Sequence, residues 1–435
     1  MKGGKSVAIR CIKTPIYVDK ESTDRLFECN RISADVWNQT LDEAKKFALG
    51  NDGKWASESY LKKQVKRKHR MHSQSIQAVV EKYTEARDSA HSNRLNGHLH
   101  IKYPYRTKRF FNTKWKDDAF WFEGDCIFLS MGIWEHKRQP PIRVRLTKNT
   151  LDVLWKAVRS AGVDAIKEVE LIYDFDLKLC ISYEDGVSQS KYVSETSGEN
   201  QKIFAGVDLG EIHAISAVAS NGESIILTGR KLRSIHRLRN KKIREIQKAQ
   251  ARCTKGSRRW KSLQRKKRFV RIKSTRQVED LTHKITKNFV DWCVENDVKS
   301  VFVGNPEGVQ RGRSARNKRN LRSKAGRKRL RKRLVNQKIS NWNFGKVMQY
   351  LEYKLAGKGI RFTKISEAYT SQTCPVCGAR RKVSGRTYEC KADGCSYVAH
   401  RDTHGAHNIL SLGLHGDIRV VCEFKKFRTK YLCLK

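Results

Sequence analysis

Apolar and polar positions follow several different patterns in the first part of the chain. The alternating stretch Val7–Ile12 predicts a β-strand. Ile32, Val36 and Leu41 recur at the spacing of one helix face, and a second helical pattern covers about 73–94. The chain is therefore expected to begin with a strand and two helices, whose apolar stripe is typical of an ordinary helical core.

Strand patterns replace the helical ones between residues 98 and 183. The segments 169–173 and 178–183 alternate regularly on either side of a short polar connection, which predicts a β-hairpin. We expect these strands to form a small β-barrel. The following stretch, 184–201, is rich in Ser and Glu and predicts a linker.

The second half opens with an apolar strand that ends in an aspartate. Asp208 closes the run that begins at Ile203, and His213–Val218 has the pattern of a strand pairing back onto it. An aspartate on a central strand is costly to bury unless it binds a cation. The Gly-x-Asp-x-Gly context is also typical of a turn, so by itself it leaves both interpretations open.

Net charge narrows the class of partner. The 435 residues include 91 Lys and Arg against 44 Asp and Glu, a formal charge of +47. Such an excess predicts a polyanionic partner, and nucleic acid is favoured over a membrane because no long apolar run accompanies the charge. The first residues lack the apolar core of a signal peptide. Most of the 12 cysteines are dispersed, which predicts reduced thiols. Together these observations predict an intracellular, cytoplasmic protein of bacterial or phage type.

Two strongly basic blocks lie in the second half. Residues 229–274 carry apolar positions at helical spacing and a break at 254–257, which predicts a basic helical hairpin. Acidic residues are nearly absent there, so phosphate contact is favoured over an ordinary solvated face. The second block, 311–338, is poorer in apolar residues and predicts a segment without a core of its own.

Four cysteines have the spacing of a metal site. Cys374 and Cys377 form a CxxC pair, and Cys390 and Cys395 form a second, wider pair. Four thiolates from two tight turns satisfy the tetrahedral coordination of structural Zn²⁺, so the spacing predicts a zinc ribbon. The alternatives are four ordinary buried thiols or two disulfides.

The segment after the ribbon resembles a known family. It reads His-Arg-Asp-Thr-His-Gly-Ala-His-Asn over residues 400–408, with Asp402 before a helix-like run of small residues. A lone aspartate in that place would be a helix N-cap. Ribbon and segment together resemble the C-terminal end of the TnpB family of transposon-encoded nucleases and the related miniature type V CRISPR effectors, although His404 and Gly405 stand where the family usually has Asn and Ala.

The resemblance implies a RuvC-like nuclease of the RNase H fold in which Asp208 and Asp402 bind metal. The family usually places a glutamate directly after the next apolar strand, where this chain has Gly304. Glu307 lies just beyond that strand, and Glu367 ends the following one. Glu367 is favoured because the fourth strand of such a sheet pairs with the first and the fifth lies beside the fourth. Some TnpB relatives and their Fanzor cousins resemble this chain in having a relocated glutamate; if neither residue serves, the site is impaired.

The function that the resemblance implies is RNA-guided DNA cleavage. The protein would bind a guide RNA, read a short target-adjacent motif and cut target DNA with Mg²⁺ or Mn²⁺ at the three carboxylates, while zinc remains structural. No membrane is involved, and a monomer is expected. Two alternatives stay open: a nuclease-dead guided DNA-binding repressor, and an unguided RuvC-like DNA-binding protein of a transposon.

The expected fold class is a multidomain α+β protein. An N-terminal β-barrel with an inserted helical lobe precedes a RuvC-like α/β nuclease domain with an inserted zinc ribbon. The predicted divisions are barrel 1–30 and 98–183, helical lobe 31–97, linker 184–201, nuclease 202–373 and 396–412, ribbon 374–395, and tail 413–435.

Overall fold

The computed structural model describes residues 7–174, 176–188, 202–306, 344–383, 385–422 and 428–433. The chain divides into two compact units, Met1–Ser188 and Gln189–Lys435. Both units combine helices with sheets, as expected for an α+β protein. None of the helices within the described ranges is both long and apolar enough to cross a membrane.

The strands of the first unit form antiparallel sheets around one core. A four-stranded sheet has the order β1, β9, β8, β2, and a three-stranded sheet has the order β3, β4, β7. The predicted hairpin is confirmed, because Leu171 in β8 pairs with Leu179 in β9. The bounds are β1 Val7–Pro15, β2 Thr113–Lys116, β3 Phe120–Glu123, β4 Cys126–Leu129, β5 Ile133–Trp134, β6 Lys137–Arg138, β7 Ile142–Arg145, β8 Ile166–Asp174 and β9 Asp176–Ser188.

The core between these sheets follows the period of two that a strand imposes. In β7 the side chains of Ile142 and Val144 are buried, whereas their neighbours on the other face are exposed. Trp115 of β2 and Ile127 of β4 are fully buried in the same cluster. A helix that the sequence pattern had not indicated, α4 (Lys148–Ala161), adds Leu154 to this core.

Helices α1 (Lys20–Gly50), α2 (Glu58–Val65) and α3 (Ser73–Leu95) form the helical part of the first unit. The predicted domain boundary at residue 30 falls inside α1. Asp19 caps α1 by accepting a hydrogen bond from the backbone N–H of Ser22 at 2.6 Å, so residues 20–30 are helical and not part of a barrel strand. The short helix α2 was not predicted, because eight residues are too few to show a clear period.

A six-stranded sheet forms the centre of the second unit. Its order is β14, β13, β10, β11, β12, β17, with bounds β10 Ile203–Asp208, β11 His213–Ala219, β12 Glu223–Thr228, β13 Val298–Asn305, β14 Arg361–Ser366 and β17 Arg428–Leu432. Strand β10 runs antiparallel to β11 and parallel to β13, and β14 runs parallel to β13. The predicted pairing of the first, fourth and fifth strands is thus confirmed.

The end of the chain is not only a tail. Residues 413–415 complete a helix, and β17 extends the sheet by pairing in parallel with β12. The predicted tail over 413–435 therefore includes residues with regular secondary structure. The sequence did not predict β17, because its five residues have no distinctive apolar pattern. Four of them are exposed, as is common in an edge strand.

Helices cover the central sheet. Val207 of β10 shares a core with Phe289 of α6 (Arg258–Glu295) and Leu351 of α7 (Phe344–Ala356). Because successive residues of a strand point to opposite faces, Gly206 lies on the other face, against Ala406 of α8 (Arg401–His415). Strand β10, which ends in Asp208, is consequently enclosed from both sides.

The predicted basic hairpin is confirmed as α5 (Arg230–Gln250) followed by α6. Ser257 begins α6 by accepting a hydrogen bond from the backbone N–H of Trp260 at 3.2 Å. The ribbon contains one antiparallel pair, β15 (Thr387–Glu389) and β16 (Val398–His400). The second basic block, 311–338, lies outside the described residues, as do 189–201 of the predicted linker.

Candidate active site and zinc cluster

Asp208 lies at the end of the central strand β10, among other carboxylates. Burial raises the pKa of Asp208 to about 7; the negative charges of Glu367 and Asp402 add to the rise, and the Arg401 guanidinium opposes it. Two of the carboxyls singled out in the sequence, Glu367 and Asp402, are therefore close enough to act on the third, Asp208. Near neutral pH a cation-free site keeps part of Asp208 protonated, whereas a bound cation would favour its charged form.

Glu367 lies beside Gly304, the residue that replaces the usual glutamate of the family. A Cβ atom on Gly304 would lie 3.1 Å from Oε2 of Glu367 and 2.7 Å from Cδ1 of Ile409. The side chain of Glu367 thus occupies the space next to the strand that a residue larger than glycine would need. Burial raises the pKa of Glu367. The other predicted candidate, Glu307, lies outside the described residues.

Asp402 is in the first turn of α8 but is not its cap. His400 is the cap, and its Nδ1 accepts a long hydrogen bond of 3.4 Å from the backbone N–H of Asp402. The Asp402 side chain instead meets His213, with 2.5 Å between Asp402 Oδ2 and His213 Nδ1. The helix therefore positions Asp402, and a residue from β11 orients its carboxylate.

His213 is a site residue that the sequence analysis did not identify. It was considered only as the first residue of a strand, yet it is 4% exposed and contacts Asp402 directly. The available signal was a single histidine at the start of the otherwise apolar and small run that ends at Ala219. That signal is weak, because a histidine in such a place is more often a core residue with a local hydrogen bond.

Gly405 makes room for Asp208 under α8. A Cβ atom at Gly405 would lie only 2.7 Å from Oδ2 of Asp208. The departure from the alanine that is usual in the family therefore lies directly against the proposed metal ligand.

Buried polar residues of α8 connect the site to its surroundings. The side-chain amide of Asn408 donates hydrogen bonds of 2.8 Å to the carbonyl oxygens of Thr370 and Thr373. The Thr370 hydroxyl in turn donates to the carbonyl oxygen of Glu367 at 2.9 Å. The helix that carries Asp402 thereby fixes the segment that follows Glu367.

His404 connects the same helix to the ribbon. Its ring stacks on Tyr388 of β15 with 4.0 Å between ring centroids, and its Nδ1 lies 3.0 Å from the Tyr397 hydroxyl. Burial lowers the pKa of His404 to about 3, so the ring is neutral at physiological pH.

The four predicted cysteines converge. Their sulfur atoms all lie within 4.8 Å of one another, with 3.7 Å between Cys374 and Cys395 and 3.5 Å between Cys377 and Cys390. A zinc ion with four sulfur ligands requires separations of about 3.8 Å. A backbone N–H at Ala379 lowers the pKa of Cys377 to about 7, which favours the thiolate that zinc requires. The thiols are free, so the cluster has the form of a zinc site and not of two disulfides.

The basic hairpin presents a dense positive surface. Glu245 is the one acidic residue between Arg230 and Ser274. Many of the basic side chains are exposed on α5 and α6: Arg230, Lys231, Arg237, Lys241, Lys242, Arg244, Lys248, Arg258, Arg259, Lys261, Arg265, Lys266, Arg268, Arg271 and Lys273.

Parts of the chain are similar to known proteins. A family model described as a probable transposase, OrfB_IS605, matches residues 180–310, and the Cas12f1-like TNB domain matches 344–409. A TnpB-like protein of Methanocaldococcus jannaschii is 28% identical over 207 residues, which cover 47% of this chain and 66% of that protein. The resemblance to the TnpB family is confirmed.

Two further comparisons extend this TnpB-like relationship. The putative RNA-guided DNA endonuclease InsQ of Escherichia coli is 29% identical over 180 residues, which cover 40% of this chain and 41% of InsQ. The matches thus span less than two thirds of either relative. The cryo-EM structure of a Cas12f1–sgRNA–target DNA complex aligns with a TM-score of 0.59 and 15% identity over 90% of this chain and 83% of that chain, which shows a similar fold.

Proposed function

We propose that this chain is an RNA-guided DNA endonuclease of the TnpB type. The observation that carries the proposal is the grouping of Asp208, Glu367 and Asp402, whose burial and mutual repulsion raise the pKa of Asp208. Parallel strands β10 and β14 end at the same edge of the sheet, and the first turn of α8 meets them there. The name of InsQ and the guide RNA and target DNA in the Cas12f1 complex support the same function.

The donor set of this site fits a hard divalent cation. Three carboxylates offer oxygen ligands, which suit Mg²⁺ or Mn²⁺, and a cation between them would relieve the repulsion that raises the pKa of Asp208. Such an ion, when bound, activates water and stabilises the leaving oxygen in phosphodiester hydrolysis. The chain itself supplies fixed ligands: Asp208 from a strand, Glu367 from the segment held by Asn408, and Asp402 from a helix turn oriented by His213.

Binding of nucleic acid is assigned to the basic helices and the first unit. Exposed Lys and Arg of α5 and α6 would contact phosphates of the guide RNA or target DNA, while base pairing with the guide reads the sequence. In this proposal the sheets of the first unit act as the barrel, and α1, α2 and α3 act as the recognition lobe that reads the target-adjacent motif. We keep the predicted domain divisions with two changes. The helical lobe begins at Lys20, and β17 belongs to the nuclease domain.

Gly304 favours one other function, a guided DNA binder without cleavage. The usual glutamate is missing from the strand end, so activity depends on Glu367 as its replacement. If Glu367 does not replace that glutamate, this chain would still bind guide RNA and target DNA and would block transcription.

Cleavage of a plasmid target tests the proposal. The protein, isolated with its copurifying RNA, is expected to cut a matched plasmid in Mg²⁺, and Asp208→Ala and Asp402→Ala are each expected to lose at least about a hundredfold in rate with target binding nearly unchanged. Glu352→Ala is the matched control, because this carboxylate is 58% exposed on α7.

The outcomes separate the functions. Guided binding without cleavage by the parent protein would establish the nuclease-dead binder. Absence of copurifying RNA, together with target binding that no guide changes, would reject RNA guidance altogether. Parental cleavage rates in either aspartate variant would reject the assigned site.

A further inference from the structure

Three side chains around Asp402 form a close group that includes neither Asp208 nor Glu367. Ligand atoms of His213, His400 and Asp402 all lie within 4.8 Å of one another. His213 is the first residue of β11, His400 is the cap of α8, and Asp402 lies in the first turn of that helix. The group is therefore positioned by regular elements and by a histidine that is 4% exposed.

The surroundings of His213 suit a metal ligand. Its Nδ1 faces Asp402 Oδ2, and its Nε2 lies 3.4 Å from the hydroxyl oxygen of Tyr431 on β17. A cation between Nδ1 and the carboxylate would replace the proton of their hydrogen bond, with Nε2–H donating to the Tyr431 oxygen so that Nδ1 offers its lone pair. Histidines that bind metal commonly have their second ring nitrogen held in this way.

The composition of the group selects a class of cation. Two imidazoles and one carboxylate favour divalent transition metals, whereas Mg²⁺ prefers oxygen ligands and retained water. We propose that His213, His400 and Asp402 form a second cation site, for a divalent transition metal such as Mn²⁺, Co²⁺ or Zn²⁺. Three protein ligands leave coordination positions open for water or phosphate.

The site shares one residue with the proposed nuclease centre. Oδ2 of Asp402 faces His213, while the Asp402 charge also acts on Asp208. A carboxylate in this position is able to serve cations on both sides. This sharing is the one part of the inference that rests on the proposed function; binding of the transition metal does not depend on it.

Cobalt titration of the full-length chain tests the site. The protein is prepared without a polyhistidine tag and with zinc in the ribbon, and Co²⁺ binding is followed by calorimetry and by visible absorption. One equivalent of Co²⁺ is expected to bind with a ligand-field spectrum that lacks the charge-transfer band of a cobalt thiolate. Excess Mg²⁺ is expected to leave that spectrum in place, because it competes poorly for nitrogen ligands.

Substitutions identify the ligands. His213→Gln and His400→Gln are each expected to weaken Co²⁺ binding at least about tenfold. His415→Gln is the matched control, because it removes an exposed histidine from the last turn of the same helix. Circular dichroism and the zinc content of the ribbon are measured for every variant, so that a loss of binding is scored only in folded protein.

Two results would overturn the site. Absence of any Co²⁺ equivalent beyond the ribbon would mean that His213 and Asp402 form only a hydrogen bond. Equal Co²⁺ affinity in the parent and both histidine variants would place the metal elsewhere. Neither measurement uses a guide or DNA cleavage, so failure of the nuclease proposal and failure of this site are distinguishable.

Loading of the second site also tests the shared ligand. If Asp402 serves both cations, Co²⁺ is expected to raise the Mg²⁺ concentration needed for half-maximal cleavage. An unchanged Mg²⁺ requirement with the cobalt site filled would show that Asp402 is not shared.

Discussion

At the scale of single residues, Gly304 and Glu367 form one structural feature. Glu367 places its carboxylate beside a backbone position where a side chain is absent, and its Oε2 lies 3.1 Å from the point that a Cβ atom at Gly304 would occupy. The sequence drew attention to both, because Gly304 stands where the resemblance implies a glutamate and Glu367 follows the next strand. Together they describe a glutamate that approaches the same edge of the sheet from the neighbouring strand.

Exchange of these two residues gives the first prediction. Glu367→Ala is expected to reduce plasmid cleavage at least about a hundredfold, because one cation ligand is lost. The double variant Gly304→Glu/Glu367→Ala is expected to recover part of that activity, since it removes the Glu367 carboxylate beside Gly304 and supplies one from β13, with the flexible end of Ile409 moving aside. Cleavage by Glu367→Ala at the parental rate would show that the third ligand is another residue.

The raised pKa of Asp208 gives the second prediction, on stability. Because the folded chain keeps this proton up to about pH 7 while the unfolded chain loses it near the ordinary aspartate pKa of 3.8, the stability contributed by this group falls as pH rises through that window. Asp208→Asn is therefore expected to raise the melting temperature at pH 8 without divalent cation, and to have little effect near pH 4. The difference corresponds to at most about 4 kcal/mol.

Thermal melts check this effect without a chelator, which would remove zinc from the ribbon. Mg²⁺ is expected to raise the melting temperature of the parent at pH 8 but not that of Asp208→Asn. Glu352→Gln serves as the control, since its carboxylate is 58% exposed. Equal changes in melting temperature for Asp208→Asn at pH 4 and pH 8 would exclude the carboxylate repulsion described above.

At the scale of elements, α8 connects the ribbon, the segment after Glu367 and the central sheet. His404 stacks on Tyr388 of the ribbon, and Asn408 holds two carbonyl oxygens beyond Glu367. Asp402 lies half a turn before His404 on the same helix. The ribbon is thus a support for the first turn of α8.

Loss of the ribbon zinc gives the third prediction. Cys374→Ser is expected to lower zinc content below one ion per chain and to reduce cleavage, because Tyr388 no longer holds His404 and the first turn of α8 loosens. Cys253→Ser is the matched control, as this free cysteine lies in the turn between α5 and α6. Full cleavage by Cys374→Ser protein that contains no zinc would separate the ribbon from the nuclease centre.

At the scale of the whole molecule, the formal charge of +47 is expected to govern the proposed binding of nucleic acid. Each phosphate neutralised by Lys or Arg releases counterions, so affinity depends steeply on salt. The exposed basic side chains of α5 and α6 make those helices the expected source of much of this dependence.

Salt titration gives the fourth prediction. Replacement of Arg237, Lys241 and Arg244 by alanine is expected to lower the slope of log affinity against log salt by up to about 3. The control removes the same charge at Lys299, Lys358 and Arg361, which are exposed near the starts of β13 and β14 and lie outside the basic hairpin and the first unit. Equal slopes for the parent and the α5 variant would place the nucleic acid elsewhere.

Features set by local sequence patterns, or by residues with a specific chemistry, could be predicted from the sequence. The four cysteines, Asp208 at a strand end, Asp402 before a helix-like run and the basic hairpin were all readable from spacing and period. A strand or helix pattern depends on neighbours within a few residues. Four cysteines at this spacing have few explanations other than a metal site. The adjacency of β10, β13 and β14 followed from the family resemblance and agrees with the structure.

Contacts between side chains far apart in the chain became visible only in the folded structure. The contact of His213 with Asp402, the hydrogen bond of Asn408 to Thr370 and the pairing of β17 with β12 join segments far apart in the chain. None of these residues has a pattern that identifies its partner, because a single histidine, asparagine or exposed strand fits many environments equally well. Their roles arise from sheet pairing and from helix α8 packing on the sheet, which bring together residues that the sequence keeps apart.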